Sequence, residues 1–288
     1  MMMKTILFVN ISVGQKLKPG FDNTEYIEMV KIAQKAHIDL NKWATITTVP
    51  DPQKFKFVYR SPVMGLENIW DLWVSRDSIA VISIRGSVPT ATSFLANLYA
   101  AMVSAKGELQ LGQSFHFSYN LSNNPKAAVH VGWLVSMAYL SGDILHKVDS
   151  LYRTAGIKDF IITGHSQGGG ISFLLTSYVE SLKEDKRIPA DIRFKTYCSA
   201  GPKPGNLFYA YDYENLTRNG WAFNIINTAD WVPQVPFSIQ TINDFANTNP
   251  FTNAKKTIKK QKFPENLLLR HVYNQLSKPA KKAQKRYQ

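Results

Sequence analysis

The stretch Gly164-His165-Ser166-Gln167-Gly168 constrains this chain more than any other. It reads G-x-S-x-G. The short apolar run Asp159-Phe160-Ile161-Ile162-Thr163 before it has the length and composition of a buried strand. Gly169 to Val179 after it spaces its apolar residues as a helix does. Strand, sharp turn and helix together are the setting of a nucleophile elbow, in which a serine hydroxyl is exposed at the turn. Such a turn is tight, so its flanks must be small, and Gly164 and Gly168 meet that demand. Ser166 would then stand at the positive end of the following helix. A glycine-rich turn before a helix can also cradle a phosphate. Here the lysine that a phosphate-binding loop carries after its glycines is missing, and so is the G-x-G-x-x-G spacing.

A serine hydroxyl needs a base within hydrogen-bond reach and an acid to orient that base. In the elbow arrangement the chain order is Ser, then Asp or Glu, then His. Asp230 is the best-placed acid, just past the apolar run Trp221 to Ile226. Its plain alternative is a turn or cap residue. Asp244 lies in a polar loop with no strand before it, and Asp212 and Glu214 are also read as loop residues. Of six histidines only His271 follows Asp230. It sits within Asn266 to Leu276, which has helical periodicity, so an ordinary helix-face histidine is the alternative reading. The oxyanion formed during acyl transfer requires backbone N–H donors. One is expected from Gln167, after the nucleophile. The other is expected from Ser87, in the turn after the apolar strand Val81 to Ile84, where an ordinary β-turn is the alternative.

The remaining pattern sets the fold class. Asp22 to Glu25 reads as a helix start, with the helix running through Ile32. Phe55 to Tyr59 reads as a strand, and Ile69 to Val74 with Ile79 to Ile84 as a hairpin. A helix is expected at about 127–148, then strands at 194–198 and 221–226. Strands alternating with long helices predict an α/β protein with a mostly parallel central sheet and helices on both faces. Phe94-Leu95, Leu98-Tyr99 and Met102-Val103 recur every four residues and predict one apolar helical face, either core-facing or a wall over Ser166. At 288 residues, one large domain over 21–245 is expected. Residues 1–20 are read as a signal peptide or a disordered N-terminus, and 246–288 as a basic helical appendage.

Met1 to Lys4 followed by Thr5 to Gln15 resembles a short secretory signal, weakened by Asn10 and Ser12. The expectation is export through this signal or, failing that, a cytoplasmic protein. The net charge is +13, and Phe251 to Gln288 holds eleven Lys and Arg against the single acid Glu265. Most of the positive charge thus belongs to the tail. A solvated charged helix is the plain reading; contact with an anionic membrane or lipid surface is the sharper one. Nucleic acid is not expected, because few aromatics interleave with these charges. The single cysteine, Cys198, lies in an apolar run and reads as a small buried hydrophobe. No Cys/His cluster has metal-ligand spacing, and no cofactor is expected.

Taken together, these segments resemble the class 3 (fungal-type) lipases of the α/β-hydrolase superfamily. Val81 to Ser87 is similar to that family's strand followed by R-G-T/S. Val129 to Trp133 is similar to H-x-G-F, and Gly164 to Gly169 to G-H-S-L-G-G. Ser199 to Asn206 is similar to G-x-P-x-x-G-N, and Asp230 to Pro233 to D-x-V-P. The resemblance implies an α/β-hydrolase fold, a lid near residues 94–103, and hydrolysis of acylglycerols or other carboxylic esters by Ser166, Asp230 and a histidine. Two departures stand out. Gln167 replaces the common leucine, and the family histidine lies in a loop, unlike His271. Two alternatives follow: a phospholipid acyl hydrolase, or a C-terminally truncated and catalytically silent relative that binds anionic lipid surfaces.

Overall fold

The computed structural model describes residues 16–42, 48–98, 101–236, 254–271, 273, 274 and 278. The N-terminal signal-like stretch to Gln15 and the expected domain boundary near 245 lie outside the described residues. Asp22 caps α1 (Asn23–Lys35), its carboxylate accepting the Glu25 N–H. Three antiparallel strands follow: β1 (Phe55–Arg60), β2 (Trp70–Ser75) and β3 (Ile79–Ile84). After α2 (Ala91–Leu98) come β4 (Met102–Ser104), β5 (Lys106–Gln110), β6 (His116–Asn120) and β7 (Ala128–His130). The rest alternates: α3 (Val131–Ala155), β8 (Asp159–His165), α4 (Gln167–Glu184), β9 (Arg193–Ser199), α5 (Leu207–Leu216), β10 (Ala222–Ile225) and α6 (Ala254–Lys260).

The central sheet has the order β1-β2-β3-β8-β9-β10 and is parallel from β3 onward. Side chains alternate across a strand, so each face gathers its own core. Ala80, Ile82 and Ile84 of β3 and Phe160 and Ile162 of β8 bury against Leu134, Met137 and Leu140 of α3 and Leu174 and Leu175 of α4. Val81, Ile161 and Tyr197 point the other way, against Met29 and Ile32 of α1. Helices therefore cover both faces, as expected, and the C-terminal ends of β3, β8, β9 and β10 meet along one edge. Cys198 is fully buried, and burial holds its thiol well above the ordinary cysteine range. No helix among the described residues is long and apolar enough to cross a membrane.

Two sequence expectations need correction. The helix expected from 127 begins at Val131 and runs on to Ala155. Residues 128–130 are drawn into β7 by distant partners: β4 pairs with them, and Pro204 O accepts the His130 N–H at 2.9 Å. The four-residue apolar period from Phe94 also does not continue as one helix. α2 ends at Leu98, and Met102 and Val103 belong to β4, paired with His130 and Val129. The hairpin of β5 and β6 was not expected at all.

Candidate active site

Ser166 joins β8 to α4 with φ 56° and ψ −124°, a region that L-residues seldom occupy. Its hydroxyl makes no capping bond to the helix it begins. The turn closes only because its flanks lack side chains. A Cβ on Gly164 would stand 2.3 Å from the Gly168 carbonyl carbon, and one on Gly168 would stand 2.2 Å from the Ile84 carbonyl oxygen. The second contact presses the elbow directly against the end of β3, where the chain continues into Arg85, Gly86 and Ser87.

That close approach brings together two of the residues singled out from the sequence. Ser87 Oγ donates to Gln167 Oε1 at 3.1 Å. Asn97 Nδ2 donates to Ser87 Oγ at 2.8 Å and thereby fixes the direction of the hydroxyl proton. Asn97 is fixed in turn: Trp133 Nε1 donates to its Oδ1 at 3.0 Å, and His130 Nε2 lies 3.3 Å from its carbonyl. The backbone N–H groups of Ser87 and Gln167 take no partner among the described residues. Gln167 N–H is also among the first amides of α4, which helix geometry leaves open. Two free N–H donors beside a strained serine suit a site that stabilises an oxyanion.

His130 is fully buried and stacks on Trp133, with ring centroids 3.8 Å apart and planes 8° apart. Its Nδ1 accepts the Trp133 N–H at 3.4 Å and caps α3, which leaves Nε2 as the protonated nitrogen facing Asn97 O. Burial pushes its pKa down to about 4, so the ring is neutral. The H-x-G-W segment thus supports the Ser87 turn through Asn97.

A second chain of contacts supports the elbow from the α1 side. Ser166 N–H donates to Ser199 O at 2.9 Å. Ser199 Oγ lies 3.2 Å from His165 Nδ1 and accepts from Tyr26 Oη at 3.1 Å. Burial lowers the His165 pKa, and the Asp230 carboxylate acts against that shift, which places Asp230 within electrostatic reach of the residue before Ser166. Asp230 lies in the loop after β10, and its Oδ1 accepts the Val232 N–H at 2.9 Å. His37, beyond the end of α1, packs on Gly86, its Nε2 3.4 Å from where a Cβ there would stand. Desolvation, with Arg85, His165 and Arg60 facing it, pushes its pKa down to about 4.

His271 is exposed, on the helical residues 265–271 that follow α6. The rival acid Asp212 is engaged elsewhere, accepting from Ser122 Oγ and the Asn124 N–H; Asp244 lies outside the described residues. Sequence reasoning missed Asn97, Tyr26 and Ser199. No local signal marks them, because each acts through a partner far away in the chain. An apolar cleft of about 510 Å³, lined by Phe173, Leu207, Tyr209, Phe223 and Pro233, opens nearby. Its wall at Gly201 touches the first turn of α4 at Gly169. No group of three or more potential metal ligands occurs among the described residues.

Comparison with known proteins agrees with this geometry. Residues 81–240 match the family described as Lipase (class 3). A secreted mono- and diacylglycerol lipase of Fusarium solani is 23% identical over 190 residues, covering 65% of this chain and 49% of that protein. The match therefore spans about half the length of that relative. A fungal lipase solved with an inhibitor superimposes with a TM-score of 0.56 at 14% identity, over 74% of each chain. Lipase II of Rhizopus niveus gives 0.52 at 20% identity, over 76% of this chain and 78% of that one. At such identities the likeness establishes the α/β-hydrolase fold.

Proposed function

Because the chain belongs to the class 3 lipase family, we propose that it cleaves acylglycerols or other carboxylic esters through a Ser-Asp-His triad and an acyl-enzyme. Ser166 attacks the ester carbonyl, and the N–H groups of Ser87 and Gln167 hold the developing oxyanion. His271 is assigned as general base and then general acid on chain order, and Asp230 as the residue that orients it. The observation that carries the reading is Ser166 at φ 56° and ψ −124°, with the Ser87 and Gln167 N–H groups unpartnered among the described residues. The apolar cleft whose wall at Gly201 neighbours the first turn of α4 supports an ester with a hydrocarbon portion. The Fusarium relative is described by name as secreted, and the apolar run behind Lys4 supports export of this chain too.

The exposure of His271 favours a second reading, a silent relative that keeps the serine and the oxyanion donors but has no working base. Labelling of the purified protein with a fluorophosphonate probe separates the two. The triad reading expects labelling that is lost in both Ser166→Ala and His271→Ala. Labelling lost only in Ser166→Ala assigns activation to another group. A folded parent that does not label at all rejects the hydrolase reading in favour of the silent one.

A further inference from the structure

The C-terminal segment presents a surface that the hydrolase reading does not use. α6 carries Lys255, Lys256, Lys259 and Lys260, all exposed. Positions i, i+1, i+4 and i+5 share one side of a helix, so the four charges form a single stripe. Lys262 follows, and Arg270 is exposed on the next helical stretch. Across 254–271 these six face one acid, Glu265, and none of them takes an acidic partner among the described residues. Like charges held this close repel one another and favour an anionic surface.

The apolar residues beside them narrow the choice of that surface. Phe263 is 77% exposed, Leu267 53%, Leu268 67% and Leu269 42%. A solvated tail accounts for the lysines but not for four large apolar side chains held in water within seven residues. Nucleic acid offers phosphates but no aliphatic phase for leucine, and a single aromatic supplies little base stacking. An anionic bilayer offers both phosphate head groups and hydrocarbon. We propose that residues 254–271 are a peripheral docking element for an anionic lipid surface, with the α6 lysines on the head groups and Phe263, Leu267 and Leu268 among the acyl chains. The proposal is independent of whether Ser166 turns over an ester.

Co-sedimentation of the full chain with vesicles tests it, using Ser166→Ala so that nothing is hydrolysed. The expected result is retention on vesicles of phosphatidylcholine mixed with phosphatidylglycerol, little on phosphatidylcholine alone, and partial release at high salt. Each of Lys255→Gln, Lys256→Gln, Lys259→Gln and Lys260→Gln should weaken retention about fivefold. Leu268→Ser, at an exposed position that folding tolerates, should remove the part of retention that survives salt. Equal retention on both vesicle types, or lysine variants that bind like the parent, would overturn the proposal. So would equal retention on poly(U), which would assign the stripe to nucleic acid. Self-association without vesicles that Leu268→Ser abolishes would assign the apolar patch to a second copy of the chain instead.

Discussion

Ser87 Oγ donates to Gln167 Oε1 across 3.1 Å, linking two positions eighty residues apart whose backbone N–H groups take no partner among the described residues. The bond ties the turn after β3 to the first residue of α4. Ser87→Ala removes it and leaves the Asn97 amide without its acceptor. Gln167→Leu removes it from the other side. Each change should lower kcat about five- to tenfold, the kinetic equivalent of one hydrogen bond, with little change in KM. The double variant should cost no more than the larger single loss, since both act on one contact. Steady-state kinetics on a soluble ester would show this, and fully additive losses would mean the two side chains act separately.

Ser166 carries backbone strain that glycine would relieve. At φ 56° and ψ −124° a Cβ is unfavourable, by about 1–3 kcal/mol. Ser166→Ala keeps the Cβ and should match the parent in stability. Ser166→Gly should be about 1 kcal/mol more stable than Ser166→Ala, after allowing for the added freedom of its unfolded chain. Urea unfolding of the two variants measures the difference. Equal midpoints would mean that the turn relaxes around the Cβ.

Gly168 should tolerate no side chain. A Cβ there would meet the Ile84 carbonyl oxygen at 2.2 Å, and backbone on both sides cannot swing away as a side chain could. Gly168→Ala should therefore destabilise by about 3 kcal/mol and separate Gln167 from Ser87. Gly112→Ala, which meets nothing within 4 Å, is the control and should unfold like the parent.

His130 makes stability depend on pH. Burial lowers its pKa from 6.5 to about 4. Between these values the unfolded chain binds a proton that the folded chain refuses, so unfolding gains as pH falls. Stability should be full above about pH 6.5 and should decline toward pH 4, by roughly 3 kcal/mol from this residue. His37, shifted the same way, adds a smaller part because it is more than a third exposed. His130→Asn keeps a capping side chain and should flatten the slope. Unfolding at a series of pH values checks this, and an unchanged slope would show that His130 is not its source.

The parts that were legible from sequence are those set locally. The Asp22 cap, the alternation of β3 and β8, and the glycines around Ser166 each follow from residues within a few positions of one another. What was not legible depends on partners distant in the chain. Residues 128–130 leave the helix because β4 and Pro204 claim their backbone. Asn97 matters because Ser87, Trp133 and His130 converge on it, and nothing in its own neighbourhood says so. His271 shows the opposite case: chain order points to it, while the fold leaves it exposed.

The ties from Ser199 to Tyr26, His165 and Ser166 have a consequence for how this protein is made. Tyr26 is synthesised early, but the residue that connects it to the elbow comes 173 positions later. Until β9 has emerged from the ribosome, the strained turn lacks the carbonyl that accepts its amide. A nascent chain that already displays Ser166 therefore has no finished elbow, and the turn is complete only once nearly the whole sheet is in place.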